Sequence, residues 1–597
     1  MPKISIKNQN KVFEYIQGKN LLELLVENNI FVDNPCNGKG LCGKCKIRLI
    51  EGNLSDLSET EEKFLKEEEL RSGIRLACLV TPYDDITIEI LQKERKHEIL
   101  TTGYIPSFEY RPSISKRVVE IKKPNLDDQT PFEDSLCRAF DIQHIDWNIL
   151  KQSEVTYGIV TGVFNGENLI GIELGDTSDV LYGIAIDIGT TTVVTALINM
   201  NTGEEITTAS MINPQKKFGL DVLTRITYEL ENPKNAKEEL QSAIVNSIND
   251  MIEDMCNKTK IDKKHIYEIS IAANCTMMHF LLGIDTSSIG KSPYVPVFSR
   301  SKNIPAKDIG LKASVGARLY CLPSVSSYIG ADIVAGAYVC GLHKALENVL
   351  FIDIGTNGEI VLSNQGKMLS CSCAAGPALE GMNISSGMRA AEGAIEDVKI
   401  SEKGIELQVI GSKEPIGVCG SGILAAVKEL IRVGLVKKQG AFIKKEKLES
   451  SDYRYDMINL DGSKREFILS ENPERLLITQ GDVRQVQLAK GAILSGFYAL
   501  LKKAGIDIND LDKVIIAGQF GAHLPVDSLV GIGILPEEVK DKLSYVGNSS
   551  KTGAYMALMS QDVKGEIEDL AQKMDYMELG ASQGYERLFA ECLIFPS

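Results

Sequence analysis

The chain opens on short runs of alternating character. Residues 3–7 and 11–16 alternate apolar and polar positions as half-buried strands do, with a polar turn at Asn8 to Asn10 between them. Leu21, Leu22, Leu24, Leu25 and Val26 then fall at helical spacing. Two later apolar runs, Arg75 to Val80 and Ile86 to Leu91, complete a small mixed sheet. From Gln92 to about Ser115 the sequence turns charged and irregular, with Lys93, Glu94, Arg95 and Lys96 followed by Pro106 and Pro112, as a linker does. Strand-like runs return near Thr156 to Phe164 and Leu169 to Leu174, in a region that holds the single tryptophan, Trp147. Beyond Val180 apolar β-runs end in glycine turns and lead into long helical segments, which is an α/β pattern and continues to the end.

The expected organisation is therefore a β-grasp domain over 1–93, a linker over 94–115, a small middle domain over 116–181 with no assignable chemistry, and a large α/β domain over 182–597. At 597 residues the chain is too long for one hydrophobic core. A net charge of -16 argues against nucleic acid as a partner, because phosphate-backbone binding draws on clustered Lys and Arg. No apolar run is long enough to span a bilayer, and Met1, Pro2, Lys3 and Ile4 lead straight into a strand without a signal peptide, so no membrane and a cytoplasmic location are expected.

Cysteine changes the picture. Of 13 cysteines, nine are scattered and read as small buried hydrophobes, whereas four fall within the first 78 residues. Cys36, Cys42 and Cys45 share the loop Cys-Asn-Gly-Lys-Gly-Leu-Cys-Gly-Lys-Cys, and Cys78 follows after 32 intervening residues. Three thiolates on a glycine-rich loop and a fourth from a distant strand enclose a [2Fe-2S] cluster, with Gly38, Gly40 and Gly43 turning backbone amides toward sulfur. Structural zinc is the alternative, although zinc sites usually use two Cys-x-x-Cys pairs and only one is present. The adjacent acidic run Glu59, Glu61, Glu62, Glu67, Glu68 and Glu69 is either a solvated helix face or a docking surface for an electron donor.

A second constellation is duplicated. Ile184-Ala-Ile-Asp-Ile-Gly-Thr-Thr-Thr-Val-Val returns as Leu350-Phe-Ile-Asp-Ile-Gly-Thr-Asn-Gly-Glu-Ile-Val-Leu. In each a buried strand meets an acid, a glycine turn and hydroxyls. Such tips bring backbone amides and the hydroxyls of Thr190, Thr191, Thr192 and Thr356 to phosphate oxygens, while Asp187 and Asp353 orient Mg2+ through its waters. Toward the C-terminus a strand ends in Gly518 and Gly521, and Tyr545-Val-Gly-Asn-Ser-Ser-Lys-Thr-Gly-Ala supplies another polar glycine loop. The order of these loops resembles the acetate and sugar kinase, heat-shock chaperone and actin superfamily over residues 182–597, with Gly330-Ala-Asp-Ile-Val-Ala-Gly-Ala as its first connecting helix. No Walker lysine motif or dinucleotide fingerprint accompanies them.

Other motifs carry less. Cys371 and Cys373 lack a further ligand pair, Cys275 and His279 suit a packed helix better than a metal, and Ser421 in Gly417-Val-Cys-Gly-Ser-Gly has no evident base.

The whole arrangement closely resembles the reductive activators of corrinoid proteins, which return cob(II)amide to cob(I)amide for anaerobic methyl transfer. The resemblance implies an iron-sulfur ATPase that passes one electron from its cluster to a docked corrinoid protein. It implies that Cys36, Cys42, Cys45 and Cys78 ligate iron, and that Asp187, Gly189, Thr190, Thr191, Thr192, Asp353, Gly355, Thr356 and Asn357 bind Mg-ATP phosphates. Gly518, Gly521, Gly547 and Asn548 then approach adenosine or ribose, and the chain is expected to be a homodimer fed by a low-potential electron donor. An activator of 2-hydroxyacyl-CoA dehydratases, a redox-sensing nucleotide-dependent chaperone or switch, and a small-molecule kinase remain the alternatives at this stage.

Overall fold

The computed structural model describes residues 2–596 other than 9–10, 29, 31, 33–37, 39, 41–42, 44, 66, 92–102, 153–154, 462–463, 474 and 519–523. It divides into two compact units, Met1–Lys96 with Gln215–Leu220, and His97–Pro214 with Asp221–Ser597.

In the first unit a five-stranded sheet runs in the order Lys11–Glu14, Lys3–Ile6, Ile86–Ile90, Lys46–Glu51, Ile74–Leu76. The N-terminal hairpin is antiparallel and its first strand pairs parallel with Ile86–Ile90, the arrangement of a β-grasp fold. Helix Leu21–Glu27 starts at Asn20, whose side chain accepts the Glu23 amide, and it buries Leu21, Leu22, Leu24 and Leu25. These pack with Ile4, Ile6, Ile47 and Ile88 into one core. The acidic run forms two short helices, Glu59–Phe64 and Glu67–Arg71. Glu61 is not on a solvated face: it is fully buried and held by Arg75 at 2.9 Å.

The second unit begins with residues 103–113, which lie along its C-terminal elements. The Tyr104 amide donates to the Val546 carbonyl at 3.0 Å, the Arg111 amide to Met559 at 2.8 Å, and the Tyr110 and Tyr555 hydroxyls meet at 3.0 Å. Strands Ile114–Ile121, Gly158–Asn165 and Asn168–Leu174 form a three-stranded sheet covered by helix Phe132–Phe140. Its core contains Ile121, Leu136, Phe140, Val160 and Phe164, whereas Trp147 is 71% exposed and contributes nothing to it. Glu173, at the end of this sheet, accepts from buried Lys116 and from the Tyr267 hydroxyl at 2.9 Å, and lies 2.9 Å from His265 Nδ1.

Beside two three-stranded sheets, formed by Gly404–Val409, Ala394–Ser401 and Gly417–Val418 and by Ile458–Asp461, Lys464–Ser470 and Leu476–Thr479, two six-stranded sheets dominate the rest. One runs Glu205–Ile212, Thr192–Asn199, Tyr182–Ile188, Ile266–Ala273, Arg318–Cys321, Lys302–Pro305. The other runs Leu543–Gly547, Lys513–Ala517, Asn348–Ile354, Gly358–Asn364, Lys367–Cys373, Asp575–Tyr576. Each sheet therefore has an antiparallel meander of three strands whose first strand pairs parallel with a later one, Tyr182–Ile188 with Ile266–Ala273 and Asn348–Ile354 with Lys513–Ala517. The repeat seen in sequence is a repeat in topology, and this is the two-lobed actin-like fold. Helices Ala331–Val339 and Ser549–Met559 pack closely, because a methyl group at Gly553 would stand 2.5 Å from the Ala335 β carbon. Among the described residues no helix is long and apolar enough to cross a membrane.

Candidate nucleotide cleft and cluster loop

Both hairpins end in the same kind of turn. The Gly189 amide donates to the Thr192 carbonyl and the Gly355 amide to Asn357, each at 2.9 Å, so the chain reverses within three residues and leaves the intervening groups exposed to a ligand. The tips meet in one cleft of about 140 Å3, lined by Asp187, Gly189, Thr190, Thr191, Thr192, Asp353, Gly355, Thr356, Asn357, Gly518 and Asn548. That space suits a phosphate chain rather than a whole nucleotide, since pockets for drug-sized molecules reach about 300–1,000 Å3. Gly547 is one residue removed from the lining, and its backbone pairs with Gly103. Gly521 lies outside the described residues.

Buried side chains set the first tip. Asn213 donates to the Gly189 carbonyl at 2.8 Å and the wholly buried Arg225 to the Thr190 carbonyl at 2.6 Å. Burial pushes the Arg225 guanidinium down to about 9. Asn274 joins two elements: it caps helix Cys275–Leu282 through the Met277 amide and donates to the Thr190 hydroxyl at 3.0 Å. From the other lobe, Asn548 donates to Asp187 Oδ2 at 2.9 Å and Ser550 to Oδ1 at 2.7 Å.

Sequence reasoning missed Asp332, Glu359 and Glu380 as cleft groups. Asp332 begins the connecting helix, Glu359 follows the second tip, and Glu380 ends the turn Pro377–Glu380, where nothing in the local pattern marks it. The cleft is consequently rich in carboxylates. Burial pushes Asp332 up to about 8 and Asp353 up to about 7, with neighbouring carboxylates adding to the effect. Burial also raises Asp187 and Glu380, and raises Glu359 well above the usual range. Such a site favours a bound cation. Among the described residues no three His, Cys, Asp or Glu side chains form a direct metal cage.

In the first unit, Cys45 and Cys78 are buried with their sulfurs 3.3 Å apart. The Cys78 sulfur and burial together push the Cys45 thiol far up, so two thiols this close gain by binding a cation that displaces their protons to solvent. Gly38, Gly40 and Gly43 all have positive φ, at 77°, 69° and 62°. The described part of the loop thus fits an iron-sulfur cluster; Cys36 and Cys42 lie outside the described residues.

The remaining cysteine motifs are structural. Cys371 and Cys373 are buried in a strand, with Cys373 Sγ donating to the Gly358 carbonyl at 2.8 Å. His279 donates from Nδ1 to the Cys275 carbonyl and accepts the Val297 amide at Nε2, leaving no ring nitrogen for a metal. Gly417-Val-Cys-Gly-Ser-Gly enters helix Gly420–Arg432 and does not line the cleft.

A β-grasp cysteine loop and a carboxylate-lined phosphate cleft on one chain define an iron-sulfur protein with an actin-like nucleotide-binding domain. Residues 4–83 match the 2Fe-2S iron-sulfur cluster binding domain, 182–345 the RACo middle region, and 347–597 the C-terminal domain of RACo, the ASKHA domain. The chain is 32% identical over 562 residues to the corrinoid activation enzyme RamQ of Eubacterium limosum, covering 91% of each protein. It is 24% identical over 442 residues to the [Co(II) methylated amine-specific corrinoid protein] reductase of Methanosarcina barkeri, covering 68% of this chain and 76% of that one. The solved structure of a reductive activator for corrinoid,iron-sulfur protein superposes with a TM-score of 0.72 at 33% identity, covering 100% of this chain and 98% of the other. This chain belongs to the family of reductive activators of corrinoid proteins.

Proposed function

We propose that the protein uses Mg-ATP to drive one electron from its [2Fe-2S] cluster to the cob(II)amide of a corrinoid protein, restoring cob(I)amide for methyl transfer. The observation that carries this reading is the presence, on one chain, of a cluster-binding domain and a duplicated phosphate cleft, in a protein alike over 91% of its length to a corrinoid activation enzyme. When bound, the cluster supplies a one-electron carrier. Cys36, Cys42, Cys45 and Cys78 would hold it, with Cys45 and Cys78 already adjacent.

The transfer needs help because it runs uphill. An acceptor about 100 mV below the donor makes a one-electron step unfavourable by about 2.3 kcal/mol, which differential binding of the nucleotide states can offset. In this reading the amides and hydroxyls of the two hairpin tips grip the phosphates, and Asp187 and Asp353 would hold Mg2+. Gly518, Gly521, Gly547 and Asn548 serve the adenosine end. Since each tip belongs to a different sheet, closing on phosphate draws the lobes together. A homodimer, a cytoplasmic location, a separate low-potential electron donor and the domain limits 1–93, 94–115, 116–181 and 182–597 complete the proposal.

The test is anaerobic. The reduced protein is mixed with a cob(II)amide protein, with and without Mg-ATP, and the visible spectrum is followed. ATP-dependent appearance of cob(I)amide is expected; its absence with every corrinoid partner tried overturns the reading.

A further inference from the structure

Five carboxylates reach the cleft. Both oxygens of Asp187 accept a hydrogen bond, from Asn548 and Ser550. Asp332 Oδ1 accepts the Ile333 amide at 2.9 Å, Asn357 bonds Glu359, and Asp353 lies against Gly518. Glu380 differs from them. It is 2% exposed, and its Oε1 accepts the Thr356 hydroxyl from the second hairpin tip. The Thr191 hydroxyl, from the first tip, also favours its charged form. Its Oε2 is buried without a hydrogen-bond partner. Buried carboxylate oxygens are rarely left without a hydrogen bond, so a group held in this way is explained by a polar partner that arrives with the ligand.

We propose that Glu380 is the general base of ATP hydrolysis, holding the attacking water on its unpartnered Oε2. The assignment rests on the nucleotide-hydrolysing reading above. Thr191 and Thr356 flank the carboxylate from the two phosphate tips, which puts it beside the terminal phosphate that those tips would grip. In the step, Oε2 takes a proton from water as the water oxygen bonds to the γ phosphorus. The bond from that phosphorus to the β–γ bridging oxygen breaks, ADP leaves with the electron pair, and the proton passes from Glu380 to solvent as phosphate departs. Burial raises the Glu380 carboxyl, and Thr356, Arg389 and Thr191 partly offset it, which suits a base at work nearer neutral pH than a free glutamate. The other titratable groups around it are Asp187, Asp332, Asp353 and Glu359.

The experiment measures steady-state ATP hydrolysis against pH, and Mg-ATP binding by calorimetry, on the full cluster-loaded protein. Glu380→Gln is expected to bind Mg-ATP within about fivefold of wild type yet lose about 100- to 10,000-fold in kcat, together with the rising limb of the pH profile. Glu380→Asp keeps the charge and is expected to retain that limb at a reduced rate, which separates lost chemistry from lost folding. Hydrolysis by Glu380→Gln within about threefold of wild type, or a rising limb kept by Glu380→Gln, overturns the assignment. A wild-type protein that neither binds nor hydrolyses ATP sinks the nucleotide reading itself, and the assignment with it.

Discussion

Gly518 presses on Asp353: a β carbon there would stand 2.5 Å from Asp353 Oδ1 and 2.9 Å from the Ile354 carbonyl. Gly518 also has a φ of 90°, a backbone region that side chains with a β carbon rarely enter. Gly518→Ala therefore strains the turn and displaces a cleft carboxylate together. Its expected cost is about 1–3 kcal/mol in unfolding free energy and at least about tenfold in Mg-ATP affinity. Thermal unfolding and calorimetry read both, and an alanine variant equal to wild type in each refutes the contact.

The crossing of the two connecting helices makes a second test. Gly553 leaves no room against Ala335, so Gly553→Val overpacks the joint between the lobes. Overpacking of this kind costs about 1–3 kcal/mol. If closure runs through this joint, hydrolysis falls while the cluster's visible spectrum is unchanged; equal stability and rate would show the crossing to be slack.

In the cluster-binding unit, Glu61 ties Arg75 at 2.9 Å and the Leu76 amide at 3.1 Å, two residues before Cys78. Burial alone would raise its carboxyl, but the bonds from Arg75, Leu76 and Ser58 outweigh it and hold the group below the usual glutamate value. The stabilisation is then complete above the unfolded value and is lost as pH falls through the lowered folded one. Glu61→Gln leaves the Arg75 charge without its partner and is expected to cost about 3–5 kcal/mol. Acid titration followed by visible circular dichroism should show a transition in wild type that the glutamine variant lacks; superimposable curves would rule this out.

Glu173 and Lys116 form a buried pair, with side chains 11% and 2% exposed. Lys116→Met alone should destabilise by about 3–5 kcal/mol, since it strands a buried carboxylate. Adding Glu173→Gln should recover part of that, giving a coupling energy of about 0.5–3 kcal/mol in a double-mutant cycle by denaturant unfolding. Strict additivity would mean that the pair, both of whose residues lie in the small sheet, adds nothing to that sheet's stability.

Periodicity and motif order made the β-grasp and the two-lobed fold legible, because Leu21 to Val26 and the duplicated Asp-Ile-Gly-Thr hairpins are local signals. Strand Lys46–Glu51 escaped notice: it follows directly on Cys45, and its Lys, Arg and Glu positions mask the buried Ile47. The acidic run looked solvated because one buried Glu61 among exposed glutamates depends on Arg75, 14 residues away, for its charge balance. Glu380 was invisible for the same physical reason. Its partners Thr356 and Thr191 come from two separate hairpins, and only the tertiary fold brings them to it.

Because Gly103 and Tyr104 pair with Gly547 and Val546 while Arg111 pairs with Met559, one short stretch of backbone braces helix Ser549–Met559 at both ends. Any shift of the loop that carries Asn548 is therefore passed along that brace to the start of the three-stranded sheet.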